Sequence, residues 1–344
     1  MNKNPFKKLI AILSLLLLLF FSLHLILGGL SVEVQTVVKE LLYPNYDSAF
    51  WNIVLNLRLP RAIIAILCGG MLGLAGTLLQ SVISNPLAEP GIIGVTALST
   101  LFAVLWIAYA PFLIQVSYIL PVIATIGATL AVGLLYRISR FPHIGMQKLA
   151  LIGVLFSVII QAYISLILLQ QQQAMGSILL WMIGSLNGLT WLHFYLVLPF
   201  ALILIPLALS FAGIVNGLRL GDEKAQTLGI NIRSSKKYLL LIAGLLTAGA
   251  VSTVGAIGFV GLVGPHIARR LVGEDARLFL FVSFLTASLL LVAADIIAQV
   301  AVPVFPDSWV PFNIQLPTGA VTALIGGPYF MYLISKNMKG GKAS

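Results

Sequence analysis

The sequence predicts an all-α polytopic membrane protein with about ten transmembrane helices, forming one domain over residues 1–344. Hydrophobic residues make up 60% of the chain and charged residues only 9%. A bilayer-spanning helix needs about 20 apolar residues, and apolar segments of roughly that length recur along the chain. This composition excludes a soluble globular enzyme. The net charge of +10 is typical of basic loops beside anionic headgroups and does not indicate nucleic-acid binding.

The apolar segments lie at approximately 9–30, 59–81, 91–110, 117–136, 149–169, 191–211, 238–257, 259–272, 278–301 and 315–335. The first is too long for a signal peptide and lacks a convincing cleavage site, so we interpret it as a retained span. The eighth is short and rich in glycine, which predicts a half-length or tilted helix packed inside protein.

The basic residues predict the orientation. With the N-terminus in the cytoplasm, 17 of the 20 Lys and Arg residues lie on the cytoplasmic side, and only Lys39, Arg58 and Arg61 lie outside. This distribution follows the positive-inside rule and predicts that both termini are cytoplasmic.

The segment 218–233 is the longest mixed-charge, helix-capable stretch between apolar spans. Asp222 can cap a helix N-terminus, Glu223 suits its first turn, and Gly229 can supply a left-handed stop. Such a helix of about two turns would expose Leu220, Ala225 and Leu228. It is either a solvated loop or a docking helix for a cytoplasmic partner, and its predicted cytoplasmic location favours docking.

Arg58 and Arg61 lie at the predicted outer mouth of the second span. They either snorkel to headgroups or accept carboxylates from an external protein, and the sequence does not separate the two. The following polar break includes Glu89, which either caps the next helix or lines a path. The fifth span ends in four glutamines, residues 170–173, which we expect to face water or a cavity.

Few residues in the apolar segments suggest chemistry. Asp295 is a functional candidate, although hydrogen bonding across helices is the simpler interpretation. His266 has no second ligand at metal-site spacing, and the lone Cys68 excludes an intrachain disulfide. No P-loop and no catalytic triad spacing occurs, so the chain is not predicted to be an enzyme. Energy for transport would have to come from another subunit.

Seven motifs occur in an order similar to that of one permease family. They are RLPR at 58–61, GTLLQ at 76–80, NPLAEPG at 85–91, WMIGSL at 181–186, GDEKAQTLG at 221–229, IGFVGLVGPHIAR at 257–269 and LPTGAVTALIGGPYF at 316–330. Together they resemble the FecCD/BtuC permeases of type II ATP-binding-cassette (ABC) importers, from about residue 50 to 335.

The resemblance implies a ten-helix subunit of the bacterial cytoplasmic (inner) membrane that pairs with a second permease subunit, identical or paralogous. It further implies two cytoplasmic ATPase subunits that hold ATP and Mg, and an external substrate-binding protein. The permease itself would bind no cofactor and no metal as a resident group. Its substrate would be a ferric siderophore, haem or a similar metal chelate, with cobalamin as an alternative.

The resemblance also assigns roles to residues. Arg58 and Arg61 match the arginines that accept acidic residues of the binding protein. Spans five and ten match the pathway, with the loop from His143 to Gln147 at its cytoplasmic gate and the glutamines Gln170, Gln171 and Gln173 as pathway candidates. The ATPase-coupling helix corresponds to Leu220, Gly221, Asp222, Glu223, Ala225, Leu228 and Gly229.

Two departures from the family pattern concern the outer side. Gln299 stands where the family often has an arginine, and the connection 303–315 is longer than usual. Both put the docking geometry of the binding protein in doubt. Two other function classes remain alternatives. They are an ion-coupled secondary transporter acting without an ATPase, for which Asp295 is the candidate charge, and a non-transporting scaffold or sensor.

Overall fold

A computed structural model describes residues 4–27, 48–110, 119–141, 144–301 and 316–340. These residues are nearly all helical, and no strand occurs among them. The helices are α1 (Asn4–Ile26), α2 (Ala49–Ile53), α3 (Leu59–Ile83), α4 (Val95–Tyr109), α5 (Ile119–Ile138), α6 (Met146–Gln170), α7 (Met175–Ile183), α8 (Trp191–Ser210), α9 (Ala212–Arg219), α10 (Asp222–Thr227), α11 (Ile232–Val254), α12 (Val260–Val272), α13 (Ala276–Val300) and α14 (Thr318–Gly340).

Each of the ten predicted apolar segments overlaps a helix, namely α1, α3, α4, α5, α6, α8, α11, α12, α13 or α14. Seven helical stretches of the described chain are long and apolar enough to cross a membrane, and α4 is a shorter apolar helix. The predicted half-length segment is confirmed, because α12 has only 13 residues. The chain is therefore a multi-pass membrane protein.

The centre of the bundle is α3, which packs against α13, α11, α12 and α8. Small residues allow this close approach, as the sequence predicts. A Cβ added to Gly76 would lie 1.7 Å from the carbonyl oxygen of Gly261 on α12, and one added to Gly73 would lie 2.6 Å from the carbonyl oxygen of Ser283 on α13. The backbones of three helices therefore touch where a larger side chain would not fit.

The outer helices of this bundle expose apolar surface. In contrast to α3 and α11, most residues of α1, α6 and α8 are not buried by the chain. Leu151, Leu155, Val158 and Leu169 on α6 are examples, each more than half exposed. Such surface faces lipid or another subunit in a membrane protein.

Candidate functional site

The segment that links α8 to α11 contains the predicted coupling helix. α9 ends at Arg219, and α10 follows from Asp222 to Thr227. Leu220 is 55% exposed and Leu228 is 63% exposed, although both are large apolar side chains. Their exposure agrees with the sequence-based expectation and leaves two leucines available to a partner.

Two details of the predicted coupling helix were wrong. Ala225 is fully buried instead of exposed, because its face of α10 turns toward the rest of the chain. Asp222 is the first residue of α10 and not its cap. The cap position is occupied by Gly221 at φ +94°, which provides no side-chain hydrogen bond. The Asp222 carboxylate instead forms an ion pair of 2.8 Å with Lys236 of α11.

The predicted stop at Gly229 is confirmed. Gly229 has φ +79°, a left-handed conformation that favours glycine. Its N–H donates to the carbonyl oxygen of Gln226, and the N–H of Ile230 donates to that of Ala225. This pair of bonds is a Schellman motif, which fixes where α10 ends.

Two cavities flank α10. One, of about 560 Å³, is bordered by Leu220, Leu228 and Ile230. The other, of about 750 Å³, is lined by Gln147, Lys148, Asp222 and Lys236, among others. The structure therefore brings the predicted gate residue Gln147, at the start of α6, next to the coupling segment. His143 lies outside the described residues.

The other predicted pathway residues lie at the opposite end of α6. Gln170 and Gln173 are exposed, and Gln171 is half-buried. The side-chain oxygen of Gln170 accepts a hydrogen bond of 3.2 Å from the hydroxyl of Tyr109. Their role in a pathway stays a prediction.

The predicted outer end of the bundle contains a buried polar group that we call the Asp295 cluster. Arg61 donates from Nε and Nη2 to the two carboxylate oxygens of Asp295, both at 2.8 Å. His24 Nε2 lies 2.7 Å from Oδ2. The hydroxyl of Thr318 donates to Oδ1 at 2.6 Å, and Gln299 donates to Oδ2 at 3.0 Å. The cluster thus joins α1, α3, α13 and α14.

Asp295 is fully buried, and Arg61 is 8% exposed. A buried ion pair is tolerated only when further hydrogen bonds satisfy the charges, and this carboxylate has four donating side chains. The interpretation of Asp295 as a hydrogen-bonding group between helices is therefore confirmed.

Arg58 is also engaged within the chain. Its Nη1 donates to the carbonyl oxygens of Leu25 and Ile26 at 3.0 and 2.7 Å, at the C-terminal end of α1, where a cation is favourable. Its side chain is 5% exposed. The two arginines thus have contacts inside the chain that the sequence did not suggest, and docking of an external protein on them stays a prediction.

Glu89 contacts a different helix from the predicted one. It makes no side-chain cap on the turn that follows it, and its carboxylate interacts with the backbone amide of Phe259. Phe259 is the residue that precedes α12. An acid beside the N-terminus of a helix is favourable, so Glu89 supports the start of the half-length helix.

A protein-family model matches this chain over nearly its full length. The FecCD transport family model matches residues 15–336. The chain belongs to the FecCD transport family. It is 36% identical over 325 residues to the Fe(3+)-citrate import system permease protein YfmE of Bacillus subtilis, with 94% of each chain covered. It is 33% identical to the hemin transport system permease protein HmuU of Yersinia pestis, with 90% of this chain and 89% of that one covered.

A solved structure agrees with this family. An inward-facing ABC transporter of the metal-chelate type matches with a TM-score of 0.81 and 28% sequence identity, covering 96% of this chain and 99% of that one. The FecCD-family chain is therefore a transport permease of the ABC class, and its helical fold is similar to that of this solved transporter.

Sequence reasoning missed two parts of this permease. His24 and Thr318 complete the Asp295 cluster, yet they are 271 and 23 residues away from Asp295 along the chain. Arg219 and Asn216 bind the loop before α13, although neither was a candidate site residue. The only signals for them were that Arg219 lies within the predicted docking segment 218–233 and that Asn216 lies just before it.

Proposed function

We propose that this chain is the transmembrane subunit of an ATP-driven importer that moves a ferric siderophore, haem or similar metal chelate across the bacterial cytoplasmic membrane. The observation that carries the proposal is the family match over residues 15–336. Relatives named for ferric citrate, hemin and iron-hydroxamate support an iron chelate. Cobalamin is the second candidate substrate, because one relative is named a cobalamin import permease.

The partners follow from the same proposal. Two cytoplasmic ATPase subunits hold ATP and Mg and contact the exposed leucines Leu220 and Leu228. A second permease subunit completes the pathway. Both termini are cytoplasmic, as the distribution of Lys and Arg predicts.

Transport occurs by alternating access. Closure of the ATPases on ATP moves α10, and the spans that line the path tilt so that one gate closes as the other opens. The permease does no chemistry on its substrate, and ATP hydrolysis takes place in the partner.

The ion-coupled alternative is less well supported. A carrier of that kind needs a membrane-embedded charge that exchanges its ion with water. Asp295, its candidate, is fully buried and is occupied by Arg61, His24, Gln299 and Thr318. A carboxylate with these partners is better suited to joining helices.

An external substrate-binding protein would dock at the outer face near Arg58 and Arg61. Because Arg58 also binds the end of α1, we expect Arg58→Gln to weaken docking and to loosen α1 together. Binding of the cognate binding protein at low salt tests this role, and unchanged binding would remove Arg58 from the docking site.

Uptake by sealed membrane vesicles that contain the complete transporter tests the function. Vesicles loaded with MgATP are offered radiolabelled ferric citrate, ferric hydroxamate, haemin or cobalamin, each with its binding protein. We expect accumulation of one iron-bearing chelate that stops when ATP is omitted. Accumulation of cobalamin alone would select the second candidate, and uptake that follows an ion gradient without ATP would refute the ABC mechanism.

A further inference from the structure

We propose that Asn216 and Arg219 are positioning residues that carry the movement of the coupling helix into α12 and α13. This inference rests on the proposed function, because it concerns how force from an ATPase on α10 reaches the membrane-spanning helices. It is drawn from the contacts that α9 makes with residues 273–276, which connect α12 to α13 and which we call the α12–α13 corner.

The side-chain amide of Asn216 binds the corner at two points. Its Nδ2 donates to Oδ1 of Asp275 at 2.9 Å, and its Oδ1 accepts from the backbone N–H of Ala276 at 2.7 Å. Asp275 itself caps α13 through the backbone N–H of Arg277. The hydrogen bond from Asn216 is the largest cause that holds the pKa of Asp275 below its ordinary value. Asn216 is therefore fixed to the first turn of α13.

Arg219, one turn further along α9, makes the second connection. Its Nη1 donates to the backbone carbonyl oxygen of Glu274. Its guanidinium also lies over the ring of Phe279, with Cζ 4.7 Å from the ring centroid. Phe279 is fully buried on α13, so this cation–π contact is partly shielded from water.

The same ring connects α13 to α12. Arg269 of α12 places its Cζ 5.3 Å from the centroid of Phe279. Two guanidiniums, one from α9 and one from α12, thus share one buried ring. Because a cation–π contact requires the cation to lie over the face of the ring, a displacement of Phe279 would change the contacts of both arginines.

From α12 the contacts continue to α14. The rings of His266 and Tyr329 meet edge-on, with centroids 5.9 Å apart. Leu87, from the loop after α3, lines the same small cavity as these two side chains. α12 is a half-length helix of 13 residues. A push on α10 would therefore reach α14 through α9, the corner and α12.

This role differs from that of Leu220 and Leu228. Those leucines are exposed and would bind the ATPase. Asn216 and Arg219 line the same cavity as the leucines, but their side chains make hydrogen bonds to the corner of the permease itself. Changing Asn216 should therefore leave the ATPase bound and hydrolysing ATP, but should disconnect hydrolysis from helix movement. Mutations along a coupling route typically change the coupling by a few-fold to tens of fold.

The test uses the full complex with its co-purified ATPase. Cys68 is buried and is the sole cysteine, so a Cys68→Ser, Met331→Cys chain carries one reporter thiol at an exposed position of α14. The rate at which a maleimide dye labels that thiol, with and without MgATP, reports movement of α14. ATP hydrolysis and the amount of ATPase retained are measured on the same sample.

Asn216→Asp keeps the acceptor for Ala276 but places a carboxylate against Asp275. We expect the ATP-induced change in labelling to fall about tenfold while ATPase retention stays within about twofold of the wild type. The exchanged pair Asn216→Asp with Asp275→Asn again places one donor against one acceptor and keeps a good cap residue on α13. The ATP-induced change in labelling should therefore return. Asn187→Asp is the control with the same change in charge, because Asn187 is exposed and lies before α8, whose 20 residues separate it from α9.

Arg219→Lys provides an independent variant, because lysine keeps the charge but cannot lay a planar guanidinium on Phe279. We expect Arg219→Lys to reduce the ATP-induced change in labelling as well. A change in labelling equal to that of the wild type in both variants would overturn the proposal. ATPase retention that falls by the same factor as the change in labelling would also overturn it, because the residues would then shape the docking surface only. A wild-type chain that retains no ATPase would refute the proposed function itself.

Discussion

At the residue scale, Asp295 is the polar group on which α1, α3, α13 and α14 converge. The sequence places this carboxylate inside an apolar segment and predicts that it needs partners. It does not identify them, because Arg61 is 234 residues away and no local pattern relates the two. Its contacts give Arg61 a role inside the subunit, in addition to the two that the sequence suggests, contact with lipid headgroups or with an external protein.

We expect Asp295→Asn to destabilise the subunit by about 3–5 kcal/mol, the usual cost of leaving a buried ionic partner without its counter-charge. Arg61 would remain buried next to a neutral amide. Thermal unfolding of the purified subunit in detergent measures the loss.

The paired replacement of Arg61→Met with Asp295→Leu is the control. Removing both charges avoids the unpaired arginine, but it leaves the buried side chains of His24, Gln299 and Thr318 without their acceptor. We therefore expect the double variant to recover only part of the stability. If the Asp295→Asn variant unfolds at the same temperature as the wild type, the Asp295 cluster contributes no stability.

At the element scale, the coupling segment shows how far a local pattern predicts structure. The glycine stop and the exposed leucines depend on residues close together in sequence, and both predictions were correct. The exposure of Ala225 depends on which side of α10 faces the bundle, and that prediction was wrong. The predicted capping of α10 was also wrong, because Gly221 occupies the cap position and the Asp222 carboxylate pairs with Lys236 of α11.

Gly229→Ala tests whether the end of α10 matters for coupling. A Cβ in the left-handed conformation costs roughly 1–2 kcal/mol, so the Schellman motif should loosen. We expect affinity for the ATPase to fall by about tenfold, measured as retained ATPase over a dilution series.

Gly213→Ala is the matched control on α9. Gly213 lies in a helix without a positive φ, and an added Cβ there would meet nothing within 4 Å. Alanine should be tolerated at that position. Equal effects of the two changes would show that the left-handed stop has no special role.

At the scale of the whole molecule, hydropathy predicted ten apolar segments, and each overlaps a helix of the described chain, because lipid imposes a length and an apolar composition on each span. The half-length α12 was also predictable, since its segment is too short to cross. Hydropathy could not show that α3 lies at the centre of the bundle. That position follows from glycine contacts with α12 and α13, which require the complete fold. The contacts on which the proposed route from Asn216 to α14 rests could not be predicted for the same reason.

The central claim is that this permease receives its energy through Leu220 and Leu228. The most direct measurement is co-purification of the tagged chain from its native membrane, with mass spectrometry of the proteins that stay bound. We expect a P-loop ATPase with the wild type and with the control Leu271→Asp, which changes an exposed leucine of α12. Leu220→Asp with Leu228→Asp should lose it. Retention of the ATPase by that double variant, or a wild-type chain that carries substrate into vesicles with no ATPase bound, would contradict the account.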